Sequence, residues 1–157
     1  NARAVYLTAH KALPYLKQSP NPHILSLSPP LNLNQQWLKD FSPYTVSKYG
    51  MTLLSLGMAA EFAKFGIAVN CLWPQTIIAT AAIEFAVGSR DWFDRCRKPS
   101  IMAYAAYEIL ITENCQLTGQ CLIDEQLLRK RGTQDFSAYA YNPAQSHSLQ
   151  NDLFLDP

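Results

Sequence analysis

The chain has 157 residues, enough for one domain with a sizeable core, and 13 Lys or Arg against 12 Asp or Glu give it a formal net charge of +1. With 48% hydrophobic and 16% charged residues it lies on the apolar, lightly charged side of globular proteins, which excludes a disordered polyelectrolyte and leaves no basic footprint for nucleic acid. No run reaches the roughly 18 consecutive apolar residues of a membrane span, because Lys, Asn, Gln or Glu interrupts every apolar segment.

The sequence starts on Asn1, and "NARAVYLTAHKALPYL" lacks the basic, apolar and small-residue order of a signal peptide, so a truncated start is expected. Val5, Tyr6, Ala9, Leu13 and Leu16 recur every three or four positions, which predicts a helix from Ala2 to Leu16 with one buried stripe and Pro14 limiting its length. The breaker cluster "SPNP" follows, then "HILSLS" at 23–28 reads as a short buried strand. "PPLNLNQQWLKDFSP" at 29–43, bounded by prolines, reads as a long loop or lid. The strongest helix runs from about Pro43 to Lys64, with Pro43 in its first turn and Gly66 as its stop. "IAVNCLW" at 67–73, apolar and closed by Pro74, has the character of a parallel strand covered on both faces. Short helices and loop follow, then a helix over 101–111 and a last strand "GQCLID" at 119–124. The succession of helix and strand predicts parallel strands with crossover helices. From about Gln126 the pattern weakens; "RKRG" reads as a solvated helix end, and the tail either packs on the domain or links to something else.

Cys71, Cys96, Cys115 and Cys121 fall in no Cys-x-x-Cys or Cys/His pattern and read as reduced structural thiols; His10, His23 and His147 have no ligand spacing, so no metal site is expected. The chemistry points instead to "SPYTVSKYGM" at 42–51, where Tyr44 and Lys48 stand four apart on one helical face. A free phenol, with a pKa near 10, is a poor base at neutral pH, but a cation beside the phenolate favours ionisation. Lowering the pKa by roughly 3 units takes about 4 kcal/mol, within reach of a nearby ammonium in a closed site. By spacing alone the signal is weak: eight tyrosines and seven lysines give on the order of 0.4 chance occurrences. An aromatic half in the core with a solvated lysine stands as the plain alternative.

Order supplies the context. "N-x-R-x-x-Y" opening a helix, a strand ending in Ser28, "Y-T-V-S-K", the strand "IAVNCLWP" and then "TGQCLID" together resemble the second half of the short-chain dehydrogenase/reductase family, from Asn1 to about Leu128. The resemblance implies an α/β fold, the C-terminal half of a Rossmann-like doubly wound parallel sheet, with residues 1–128 part of a dehydrogenase domain and 129–157 an extension or linker. It implies Tyr44 as proton donor or base, and Lys48 as the group that lowers its pKa and bonds the nicotinamide ribose. Asn1 is either a helix cap or the family's asparagine that holds the lysine through water. Ser28 is either a strand-end serine or the residue that polarises the carbonyl; family members carry a second serine where Pro29 stands. Pro74, Thr76, Ile77 and Thr80 occupy the segment that wraps the nicotinamide, with the Ile77 backbone and a Thr76 or Thr80 hydroxyl as contacts, or they are ordinary loop residues; Gln75 replaces the usual glycine. Ser47, Gly119 and Asp124 read as structural.

The expected cofactor is NADP or NAD, although the Gly-rich phosphate turn of such folds occurs nowhere in this sequence, so the chain by itself is expected to be inactive, with an exposed sheet edge. The expected partner is a small carbonyl or alcohol substrate, lipid- or steroid-like, in a homo-oligomer when complete, without nucleic acid or membrane span. Family members of this kind continue into a sterol-carrier-like domain, which implies a peroxisomal protein, with mitochondrion or cytoplasm as alternatives. A dehydrogenase-like scaffold with relaxed chemistry that binds lipid or a partner, and a stand-alone α/β domain, are the competing readings.

Overall fold

The structure is a computed structural model that describes residues 1–113 and 116–156, with Val87 described by its backbone alone. Cys115 lies outside the described residues. The chain divides into two compact units, residues 1–73 with 108–122, and residues 74–107 with 123–156.

The first unit begins with helix α1 (Ala2–Leu16), which carries Pro14 in its last turn. Strand β1 (His23–Ser26) follows, then a short helix α2 (Gln36–Lys39) and the long helix α3 (Ser42–Phe62). After a 3-10 turn, Gly66 adopts φ 68° and reverses the chain, a conformation glycine enters without steric cost. Strand β2 (Ala68–Trp73) is buried at every position, as expected of a strand with neighbours on both sides and both faces covered. β1 pairs parallel to β2 from His23 opposite Ala68 to Ser26 opposite Cys71. On the other side of β2 lies β3 (Cys121–Ile123), for a sheet order β1-β2-β3. Gly119 N bonds Val69 O, and Cys71 N bonds Gln120 O, both at 2.8 Å.

The fold is therefore α/β, a Rossmann-like parallel sheet flanked by helices. Its core in this unit joins Ala9 of α1, Met58, Ala59 and Phe62 of α3, and Ile67 and Val69 at β2. The buried face of α3 also carries hydroxyls that tie down the connection after β1. Thr52 Oγ1 donates to Pro29 O at 2.7 Å, Thr45 Oγ1 to Trp37 O at 2.6 Å, and the Tyr49 hydroxyl to Asn32 O.

The structure departs from the sequence reading at β3, shorter than 119–124, at β1 and in the 29–43 stretch. β1 stops at Ser26 because Ser28 N turns back to Ser26 O at 3.0 Å. The 29–43 stretch holds α2, entered through two turns in which Asn32 Oδ1 accepts from Asn34 N and Asn34 Oδ1 from Gln36 N; asparagine favours such turns as readily as open loop.

The second unit holds α4 (Ala81–Val87), a 3-10 turn over Arg90–Arg95, α5 (Ser100–Leu110), whose last residues belong to the first unit, and α6 (Asp124–Lys130). Its tail runs back over residues 75–98. Tyr141 N bonds Cys96 O at 2.9 Å, Lys98 N bonds Tyr139 O at 2.7 Å, and Asp152 N bonds Gln75 O at 3.1 Å. Arg97 Nη1 pairs with Glu125 at 2.5 Å, and the Phe136 ring lies 5.5 Å from the Arg97 guanidinium and 4.6 Å from that of Arg129. Among the described residues no helix is long and apolar enough to cross a membrane.

Candidate active site

Helix α3 brings the predicted pair together. Pro43 lies in its first turn, where a missing N–H costs nothing, and one helical turn separates Tyr44 from Lys48 on the same face. Tyr44 is 41% exposed, and Lys48 Nζ lies 5.8 Å from its ring centroid. The ammonium donates to the Leu27 carbonyl at 3.0 Å and sits 5.0 Å from the centroid of the buried Trp73 ring. Three elements thus converge on one cation: the residue after β1, the end of β2 and the first turns of α3.

Asn1 reaches the same helix by another route. Its side chain makes no cap bond in α1; Nδ2 donates to Ser47 Oγ at 2.7 Å, and Ser47 Oγ donates to Tyr44 O at 2.8 Å. Gly50 permits this approach, since a Cβ there would stand 3.2 Å from the Ala2 Cβ. Ser47, read from the sequence as structural, is the link between Asn1 and the backbone of the tyrosine.

Ser28 lies at the turn that ends β1. It is fully buried, and its hydroxyl has no hydrogen-bond partner among the described residues. The Cys71 thiol lies near it, together with Ser55 and Thr52. The bond from Cys121 lowers the Cys71 pKa against the effect of burial. Cys71 and Cys121 are both free thiols.

Of the positions read as nicotinamide contacts, all in the second unit, Pro74 is buried and Thr76 is buried with its Oγ1 unpartnered among the described residues. Both backbone groups of Ile77 are engaged within the unit, its N–H by Gln150 O and its carbonyl by Arg97 N, each at 2.9 Å. Thr80 is half-buried at the start of α4 and leaves its hydroxyl out of the cap. Asp124, read as structural, accepts from Gln75 N at 2.8 Å and Glu125 N at 2.6 Å through Oδ1. Burial raises its pKa against the lowering by those two bonds and by Arg97.

No protein-family profile matches the chain. Hydroxysteroid dehydrogenase-like protein 2 of Danio rerio is 51% identical over 156 residues, 99% of this chain and 36% of that protein. Among solved structures, a Xanthomonas campestris protein assigned to the dehydrogenases superposes with a TM-score of 0.92 at 46% identity, over 100% of this chain and 56% of the other. The chain is a homologue of the short-chain dehydrogenases/reductases. A short chain dehydrogenase of Mycobacterium thermoresistibile gives a TM-score of 0.88 at 41% identity, covering 99% of this chain and 54% of that one. This short-chain dehydrogenase homologue thus spans about a third of the length of the curated relatives it matches and about half that of the solved ones.

Sequence reasoning put Tyr44 and Lys48 on one helical face, as the structure does, but missed Trp73 as neighbour of the ammonium and the tail as partner of Gln75 and Ile77. A tryptophan closing an apolar strand reads as core, and a backbone bond leaves no mark on residue type. The one available signal for Trp73 was its size at the end of a strand in which all other positions are smaller.

Proposed function

We propose that the chain supplies the proton-transfer part of an NAD(P)-dependent oxidoreductase that interconverts a carbonyl and an alcohol. The observation that supports this most is the exposed Tyr44 phenol one turn from an ammonium anchored on Leu27 O. A bound nicotinamide would supply or accept the hydride. Tyr44 would give its hydroxyl proton to the carbonyl oxygen in reduction and take it back from the alcohol in oxidation. Lys48 would favour the ionised phenol by its charge, and its ammonium would bond a ribose hydroxyl. The Asn1–Ser47 link would steady the first turn of α3. The phosphate-cradling turn would come from sequence outside these 157 residues.

Leu27, Leu31, Leu33 and Phe41, each more than 40% exposed, lie along the connection between β1 and α3 and favour an apolar, lipid- or steroid-like substrate. In the complete protein, Tyr44→Phe should lower turnover by about 10²–10⁴-fold, the usual worth of a general acid–base group, and leave cofactor affinity measured by calorimetry largely intact. Turnover that survives the change removes Tyr44 from the reaction.

A second reading is favoured by the burial of the Ser28 hydroxyl: without a serine to polarise the carbonyl, the fold would serve as a lipid-binding scaffold. Saturable binding of an apolar ligand with no cofactor oxidation over a broad panel of carbonyls and alcohols would select it.

A further inference from the structure

We infer that Trp73 is a positioning residue for Lys48, its buried indole face fixing the ammonium between the Leu27 carbonyl and the Tyr44 ring. The inference rests on the reading of Tyr44 and Lys48 as the proton-transfer pair. A lysine side chain has four flexible carbons and a compact, strongly hydrated head, so one hydrogen bond leaves its direction poorly determined. Lys48 donates at 3.0 Å to the carbonyl of Leu27, an exposed residue. The indole centroid stands 5.0 Å from Nζ, inside the roughly 6 Å within which a ring face attracts a cation, and so constrains the direction of the head group.

Burial decides how much that contact matters. Lys17 and Lys64 also approach an aromatic ring, Phe65, at 3.7 and 5.1 Å, but Phe65 is 37% exposed whereas Trp73 is 6% exposed. Cation–π attraction strengthens as the ring is desolvated, and indole is the strongest of the aromatic faces. A plain core-filling role would be met by any large apolar residue closing β2. It would not require an aromatic plane beneath a cation, nor a backbone fully buried along the preceding five residues that holds the plane still.

The test is made on the complete dehydrogenase. In the oxidation direction, Trp73→Leu should move the rising limb of the pH–rate profile about one unit to higher pH and lower neutral-pH turnover about tenfold, the scale of a desolvated cation–π contact. Trp73→Phe keeps a weaker ring face and should fall between native and Trp73→Leu, which preserves the comparison if the leucine variant does not fold. In the unsubstituted protein with 13C-labelled lysine, the Lys48 ε-methylene signal, assigned by its loss in Lys48→Met, should lie upfield of the other lysines through the indole ring current. A Lys48 signal among those of exposed lysines, or variant profiles that superpose on the native one, overturns the inference. Undiminished turnover in Tyr44→Phe would sink the proton-transfer reading instead, and the ring-current result would stand apart from it.

Discussion

Lys48 carries a compact point charge, and arginine carries the same charge spread over a planar fork. A planar guanidinium presents its donors in a wider, rigid fork, whereas a compact ammonium stands 3.0 Å from the Leu27 carbonyl. Lys48→Arg should therefore behave nearly as Lys48→Met, with turnover down at least about a hundredfold by steady-state kinetics; an arginine variant with most of its activity would show that charge alone suffices. A second residue-scale prediction concerns Glu125, whose pKa burial pushes up but the bonds from Arg129 and Arg97 pull down further, to a net lowering. A carboxylate with a folded pKa below its unfolded value contributes stability above the unfolded pKa, about 4.3, and loses it as pH falls through the folded one. Asp124 has the opposite sign: burial raises its pKa, so its protonation favours the fold as pH drops. Melting followed by circular dichroism should show Glu125→Gln less stable by about 2–3 kcal/mol at neutral pH, between the values for exposed and buried pairs, with a smaller further loss toward pH 4 than the native chain. Equal acid sensitivity in both would remove Glu125 as the cause. The Tyr44–Lys48 relation was legible in the sequence because one helical turn is a local property. The burial of Ser28 and the pairing of Ile77 with Gln150 were not, since each depends on residues more than forty positions away.

At the scale of elements, α3 is limited at both ends by residues whose reasons can be read in the letters. Pro43 opens it, and Gly66 at φ 68° closes the 3-10 turn that follows. Gly66→Ala places a Cβ in the left-handed region and should cost about 1–2 kcal/mol in a denaturant titration; an unchanged midpoint would mean that the chain turns by another conformation. Gly50 is a subtler case. It is an interior helical glycine, where alanine gains about 1 kcal/mol of propensity, yet a Cβ there meets Ala2 at 3.2 Å. The two effects offset, so Gly50→Ala should be near neutral, whereas Gly50→Leu should force α1 away and break the Asn1–Ser47 bond. Helix α3 and strand β2 were legible because their periodicity and length match long-standing patterns of burial. Helix α2 was hidden because it is one turn long and is held by Thr45 and Ser42 of the following helix rather than by its own pattern. The early end of β1 was hidden because "HILSLS" alternates through Ser28 with no breaker, and the turn at Ser28 N is made by the backbone alone.

At the scale of the molecule, the sheet of the first unit is asymmetric in its partners. β2 is central, while β1 has β2 on one side and no strand on the other among the described residues. Beside β1 runs a groove of about 430 Å³ lined by Val5 and Ala9 of α1, Ile24 and Leu25 of β1, Leu27, and Met51 of α3. An edge with free N–H and C=O groups next to apolar surface is a template for another strand. The relatives that superpose on this chain are nearly twice its length, so the edge is expected to be covered in a longer chain. Amide exchange tests this directly. In the 157-residue chain, the β1 amides that face away from β2 should exchange orders of magnitude faster than those of β2, whose opening requires loss of the sheet itself. In a protein extended upstream to the length of its relatives, the same β1 amides should become as slow as those of β2. Fast exchange at β1 in the extended protein would mean that β1 is a true edge and that the added residues fold elsewhere. The dehydrogenase reading would then lose the sheet on which a nicotinamide cofactor has to lie, whatever the geometry of Tyr44 and Lys48.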